Sequence, residues 1–563
     1  MTTALYSALA LVVLLVSAFQ GAVGQQFKRL DAKQTGVTFG NYIAENDTFN
    51  IINDFYAYNG GGVATGDLDG DGLPDIWFTG TGVRQRIYKN LGDMRFEDVT
   101  DLSGVSDSGL ASGILFADLT GDGALDVYVA KRYEPNRFYV NDGRGRFTER
   151  AKEFGLDINA HATHAAVLDY DGDGDLDLYV VTNGEPRRQG HVNPGLNDRL
   201  LRNDGGRFTD VSEQAGIADR GYGLSASVGD LNDDGWPDIY VANDFEERDK
   251  MYINQRNGTF RDVAMQAMRQ MSQFSMGSDI ADVNNDGLLD VMTVDMLPPD
   301  HWRRMTQVGG MSLYGPFFDS AQRVHNSLQL NRGGGYFSDI CFYAGVAATD
   351  WSWAVLMSDF DHDGRTDIFV GNGTKRDLGD QDYNYSVQPA AERKPDAYRL
   401  IPRSWVPNAM FRNRNGLQFD TVSNAWGLGD SLVTNGAAMA DFDGDGDLDL
   451  VLNTTDTMAV IYRNMAAERG TGSAILLRLV ADLPNRDAIG ARVEVHASGR
   501  RWVRELYGVR GFLSTSQHVV HVGLGSVTTI DSVVVRWPDR TKSVHRDVVV
   551  NSTATLRKAN VVP

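Results

Sequence analysis

The chain has a single cysteine, Cys341, in 563 residues, so no intrachain disulfide can form and a small disulfide-tied secreted scaffold is excluded. Positive charge is also scarce: 53 Lys and Arg stand against 75 Asp and Glu, a formal net charge of -22. Nucleic acids and anionic membranes attract basic surfaces, so this balance points away from both and toward a cation as partner. There is no HExxH, P-loop, GxSxG or Arg-Gly-Asp. Beyond the N-terminus no stretch is long and apolar enough to span a bilayer. With 42% hydrophobic and 10% aromatic residues, the chain still has ample material for a core. Length alone suggests roughly three to five domains.

Residues 1–24 read as a signal peptide, with an apolar run from Ala4 to Phe19 and Ala22 and Gly24 at cleavage-site spacing. The expected location is secreted or extracytoplasmic: periplasm, cell surface or extracellular. No Lys or Arg precedes the run, so an uncleaved anchor is the alternative.

Internal repeats reorganise the domain estimate. A nine-residue DxDxDGxxD-like pattern occurs seven times, starting at Asp67, Asp118, Asp169, Asp230, Asp282, Asp359 and Asp441. Each copy runs into a β-rich stretch (DIWF, DVYV, DLYV, DIYV, DVMTV, DIFV, DLVL), then a further strand ending in Asn, and in six units a Phe-centred fourth strand. Four strands in each of seven units predict an all-β fold, a seven-bladed β-propeller over residues 25–465. The seventh unit lacks its fourth strand, and residues 26–37, QFKRLDAKQTGV, match the blade-closing pattern of residues 206–217. The N-terminal strand is therefore expected to close the ring. Residues 472–563 show short β-rich runs between turns, predicting a small β-sandwich-like module.

Oxygen side chains at loop positions 1, 3 and 5 and Gly at 6 reproduce the first half of an EF-hand loop, and oxygen-only donors suit Ca²⁺. No Glu follows at position 12, so Asp at position 9 is assigned the closing role. The predicted ligands are Asp67, Asp69, Asp71 and Asp75; Asp118, Thr120, Asp122 and Asp126; Asp169, Asp171, Asp173 and Asp177; Asp230, Asn232, Asp234 and Asp238; Asp282, Asn284, Asp286 and Asp290; Asp359, Asp361, Asp363 and Asp367; and Asp441, Asp443, Asp445 and Asp449. Thr120 makes the second site the weakest expected. These positions hold 25 aspartates, a third of all acids, and seven Ca²⁺ would bring the net charge from -22 to -8.

The loops resemble those of FG-GAP/VCBS repeat proteins, whose propellers are similar to those of integrin α-subunits. IGARVEVH from Ile489, RELYGVRGFLSTSQ from Arg504, HVGLGS from His521 and DSVVVRWPD from Asp531 resemble the ASPIC/UnbV module of the cartilage acidic protein family. The resemblance implies an extracellular calcium-binding propeller with a C-terminal β-module. The cysteines of the animal relatives' disulfides are missing here, which points to a bacterial relative.

In a four-stranded blade the acidic loops share one face and the second-to-third connections share the other. The long insertions, residues 182–198, 296–326 and 371–408, all fall on that second face, which is the expected binding platform. The acidic rim is expected to make the molecule electrostatically two-faced. Candidate contacts are Arg187, Arg188, His191, Trp302, Arg303, Arg304, Lys375, Arg376 and Tyr383. The function expected is non-enzymatic binding or adhesion to a protein or glycan. The alternative is a carbohydrate-active enzyme, a polysaccharide lyase or sugar dehydratase, for which His164 with Arg187 is the one cluster to nominate. His161 and His164 are also weighed as transition-metal or acid/base groups against a structural role. The GDSL at residues 429–432 lacks a hydrolase context, and Cys341 is expected to be a buried small residue.

Overall fold

The computed structural model describes residues 25–54, 56–184, 197–217, 220–245, 247–311, 321–386 and 396–558. The signal peptide read at residues 1–24, and Arg187, Arg188 and His191, lie outside them. The described chain is all-β, with short helices between strands. Among the described residues no helix is long and apolar enough to cross a membrane.

Each acidic loop joins the two inner strands of a four-stranded antiparallel sheet. The first sheet runs outward through Val63–Gly66, Asp75–Phe78, Arg86–Asn90 and Phe96–Asp98. The loops at Asp118, Asp169, Asp230, Asp282 and Asp359 each sit in a sheet of the same order. In the seventh, Thr434–Ala440, Asp449–Thr454 and Val460–Asn464 take their outer strand from Phe27–Arg29, with Phe27 opposite Asn464. A short helix, Ala32–Thr35, follows and ends on Gly36 at φ 82°, as Ser212–Ala215 ends on Gly216 at φ 78°. Innermost strands of successive sheets adjoin, and that of the seventh adjoins that of the first. Their glycines permit this approach: a Cβ on Gly113 would lie 2.5 Å from the Thr163 carbonyl oxygen, and one on Gly277 2.2 Å from that of Trp353.

The asparagine ending each third strand ties neighbouring sheets together. Asn141 Nδ2 donates to the Leu68 carbonyl in the preceding loop and to Leu125 in its own, each at 2.9 Å. Asn90, Asn203, Asn254, Asn331, Asn413 and Asn464 make the same pair of bonds, and Asn90 reaches Phe442 of the seventh sheet. Apolar side chains fill the space between sheets.

The C-terminal segment forms two further sheets. Val520–Gly525, Ser473–Val480 and Ser552–Arg557 make one, and Arg500–Glu505, Arg492–Ala497, Ser532–Arg536 and Lys542–His545 the other. A shared core includes Leu477, Val495, Trp502, Val522 and Trp537. Between these sheets residues 507–517 leave the module and run among the innermost strands. Thr515 exchanges backbone bonds with Val63 (3.1 Å) and Thr65 (3.0 Å), Ile114 donates to Leu513 (3.0 Å), and Gln517 donates to Met439 (3.0 Å). Arg510 pairs with Asp279 at 2.7 Å and also donates to the Met357 carbonyl. A Cβ on Gly62 would fall 1.7 Å from the Leu513 oxygen, so this contact demands glycine. The acidic-loop end of the sheets therefore carries the module, and its inserted segment occupies the axis.

Phe27 is fully buried against Phe360 and Trp426. Phe27→Ala should cost about 3–5 kcal/mol of stability by cavity formation. Urea unfolding checks this, and a near-neutral result would mean that the N-terminal strand is dispensable.

Candidate metal centres in the acidic loops

Every loop has the same backbone scaffold. Gly at position 6 has φ between 84° and 98°, a conformation only glycine adopts freely. This turn aims its N–H at the position-1 carboxylate, which accepts it at 2.7–3.2 Å in all seven loops. The position-5 aspartate accepts the N–H of position 7, as Asp71 does from Leu73 at 3.0 Å.

Position 9 also braces the backbone. One oxygen accepts the N–H of position 2 at 2.9–3.2 Å, and the other that of the third-strand Asn at 2.8–3.0 Å. This aspartate is first a structural bracket between strands, with one lone pair per oxygen left for a cation. It still converges with positions 1 and 3 in at least three loops: Asp169, Asp171 and Asp177; Asp359, Asp361 and Asp367; and Asp441, Asp443 and Asp449 each place ligand oxygens within 4.8 Å of one another. In the first loop the converging set is Asp67, Asp69 and Asp71.

The donor set fits a hard cation, and buried oxygens lack other partners. Asp171 Oδ1, Asp443 Oδ1 and Thr120 Oγ1, all at position 3, are buried without a hydrogen bond. Asn232 and Asn284 instead donate to Asp234 and Asp286 at 2.9 Å, keeping their carbonyl oxygens on the loop side. Burial, reinforced by neighbouring carboxylates, pushes Asp75 and Asp126 up to about 7 and Asp177 to about 9. Asp118, Asp169 and Asp441 rise to about 6 for the same reasons. Some charge is already balanced: Lys89 reaches Asp69 and, at 2.8 Å, Asp71; Arg412 lies 2.6 Å from Asp361; and Arg463 lies 2.5 Å from Asp443. These bases stand just before the third-strand Asn, a signal visible in RIYKN, AMFRN and VIYRN.

The acidic rim is not bare. The module donates to the loop backbones: Arg478 to Gly72 (2.9 Å), Arg492 to Gly287 (2.6 Å) and Trp502 to Gly364 (3.1 Å). Arg540 stacks over Trp236, with its guanidinium carbon 3.5 Å from the ring centroid. Residues 472–563 carry 13 Lys and Arg against 7 Asp and Glu, so a basic module caps an acidic face. The module's net charge of +6 offsets part of the loops' acidity, so the expected two-faced electrostatics are reduced and not removed.

The basic candidates on the opposite face are mostly structural. Arg303 is held by Asp350 and, at 2.8 Å, by Asp377. Arg304 donates to the Pro298 carbonyl at 2.9 Å. Lys375 binds the Ile43 carbonyl (2.6 Å) and Asp456 (2.9 Å), Arg376 binds Glu45 (2.9 Å), and Tyr383 is buried. Trp302 alone among the described candidates is open, at 76% exposure, and Met305, Tyr385, Leu400 and Trp405 of the same insertions are exposed with it. His161 packs edge-on against Tyr133, while His164 is buried, accepts the Ala226 N–H at 3.3 Å and is pushed down to about 4 by desolvation. His164 lies against Ser514 of the inserted segment, beyond reach of a polymer. Cys341 is buried, as expected.

Comparison with known proteins agrees with these repeats. Residues 67–129, 118–180, 192–241 and 230–293 match the FG-GAP-like repeat, and residues 482–563 match ASPIC and UnbV. The chain is 26% identical over 510 residues to cartilage acidic protein 1 of Mus musculus, covering 86% of this chain and 62% of that one. The Homo sapiens protein of the same name is 25% identical, with coverages of 86% and 61%. The chain thus spans about three fifths of the length of these relatives. Among solved structures, an Agrocybe aegerita lectin recognising non-reducing terminal N-acetylglucosamine aligns at TM-score 0.36 and 15% identity, over 64% of this chain and 81% of that one. The WD40 β-propeller domain of Doa1 aligns at 0.38 and 9%, over 76% and 97%. Seven acidic loops in repeated sheets, followed by this module, place the chain among the proteins that join FG-GAP-like repeats to a C-terminal ASPIC and UnbV domain.

Proposed function

We propose that this protein is an exported, calcium-stabilised binding or adhesion scaffold, a seven-bladed propeller closed by its N-terminal strand, that engages a protein or glycan through the face opposite the acidic loops. The cyclic contact of the innermost strands supports the ring. The observation that carries the choice of face is the module itself, which covers the loop end and fills the axis, while the insertions at the far end expose Trp302, Tyr385 and Trp405. Exposed aromatics supply flat apolar area suited to sugar rings or to an interface core.

Calcium's part is structural in this reading. Position-1, -3 and -5 oxygens would hold it, with position 9 contributing where it converges. Each occupied site adds about 2.7 kcal/mol at a hundredfold excess over Kd. Binding is proposed in preference to lyase chemistry because His164 sits beneath the inserted segment.

Chelation should lower the melting temperature cooperatively, and calcium should restore it; an unchanged transition would sink the calcium reading. Without the cation, buried aspartates titrating near 7 to 9 keep protons that the unfolded chain, titrating near 3.9, has released. Stability of the chelated protein should therefore fall as pH rises from about 4 to 9, and calcium should flatten that fall. Melting curves across pH, with chelator and with calcium, measure both slopes.

Incubation with acidic polysaccharides and a glycan panel should give saturable binding without unsaturated products. Trp302→Ala with Trp405→Ala should weaken that binding at least tenfold while leaving the melting temperature nearly unchanged. Product formation would instead favour the lyase.

A further inference from the structure

His325, Asp339 and Cys341 meet at the outer edge of the fifth sheet, outside every acidic loop. His325 lies two residues before Ser327–Asn331, Asp339 ends Phe337–Asp339, and Cys341 opens the short helix Cys341–Ala344. Cys341 Sγ is 3.4 Å from His325 Nδ1, and Asp339 Oδ2 is 3.8 Å from the same nitrogen. All three ligand atoms fall within 4.8 Å of one another. The side chains of His325 and Asp339 are 6% and 8% exposed, and Cys341 is 1% exposed.

The other sheets provide an internal control. Where this one has Cys341, five of the other six have Thr100, Ala151, Ser212, Ala264 or Ser423, and no other unit has His at the position of His325. The only cysteine of the chain and a buried histidine have thus come together in one unit. Asp339 Oδ1 accepts the N–H groups of Cys341 (3.0 Å) and Leu328 (3.3 Å), as Asp98, Asp210 and Asp262 accept the N–H two residues on in sister sheets, and Oδ2 is left toward the imidazole. The Phe342 ring packs edge-on against His325.

We propose that His325 Nδ1, Cys341 Sγ and Asp339 Oδ2 form a binding site for a zinc-class divalent ion, separate from the calcium loops. Zinc bonds of about 2.0–2.3 Å in a tetrahedron place donors about 3.3–3.6 Å apart. The observed 3.4 and 3.8 Å lie close to these spacings, the third edge falls within 4.8 Å, and the ion would replace the present bond from Nδ1 to the Asn326 carbonyl. A thiolate with an imidazole selects zinc over calcium, because both are softer donors than the loop oxygens. Nδ1 also faces the Asn326 carbonyl at 2.7 Å. Metal binding therefore moves the imidazole proton to Nε2 and releases the thiol proton, one proton per ion.

The test uses the full chain in excess calcium, which occupies the loops, with cobalt as a spectroscopic stand-in for zinc. One equivalent of Co²⁺ should give a thiolate-to-metal charge-transfer band, and one equivalent of Zn²⁺ should abolish it. Cys341→Ser copies Ser212 and Ser423 of sister units and should fold, losing the band and one equivalent of tightly bound zinc. His325→Gln should do the same if the serine variant fails to fold. Absence of a charge-transfer band in the parent protein, or equal zinc content in parent and variants, would overturn the proposal.

Discussion

A buried carboxylate with both oxygens committed to backbone N–H groups is the constraint on which the fold rests. The position-9 aspartate joins the start of its own loop to the end of the third strand, and the asparagine there passes the connection to the next sheet. Each bond is worth about 1 kcal/mol net. Repetition in seven units gives the ring of contacts its regularity, and the rigid turn with Gly at position 6 presents the remaining oxygens to one point. Structural bracing and the proposed metal binding are therefore two uses of one loop.

Much of this was legible in the sequence because it is local and repeated. The spacing of Asp67 to Asp75 and its six copies located the inner strand pairs, and the terminal Asn marked the third strand without revealing its bond to the neighbouring loop. Even the long-range pairing of Phe27 with Asn464 could be read, since residues 26–37 repeat a pattern found elsewhere in the chain. What escaped was contact without repetition. Arg303, Lys375 and Arg376 look like surface cations until Asp350, Asp377, Asp456 and Glu45 arrive from distant segments.

The module's position was invisible for a related reason. Thr515, Leu513 and Gln517 engage the sheets largely through backbone groups, which leave no side-chain code. Gly62 and Gly508 are the nearest trace, since each lies where added atoms would collide: Gly62 with Leu513 and Gly508 with Val167. The positive balance of residues 472–563 in a chain of net charge -22 was a second clue, now explained by its seat on the acidic loops.

The pairing of the repeat region's two ends also sets a timetable. Gln26 bonds to Asn464 across 438 residues, so the outer strand of the seventh sheet has no sheet to join until almost the whole repeat region has been synthesised. At roughly 5–20 residues per second the first strand waits about 20–90 seconds for its partner. The segment that fills the axis emerges later still. During that interval the nascent chain exposes an unpaired strand and an unfilled centre, the kind of edge that other chains can pair with.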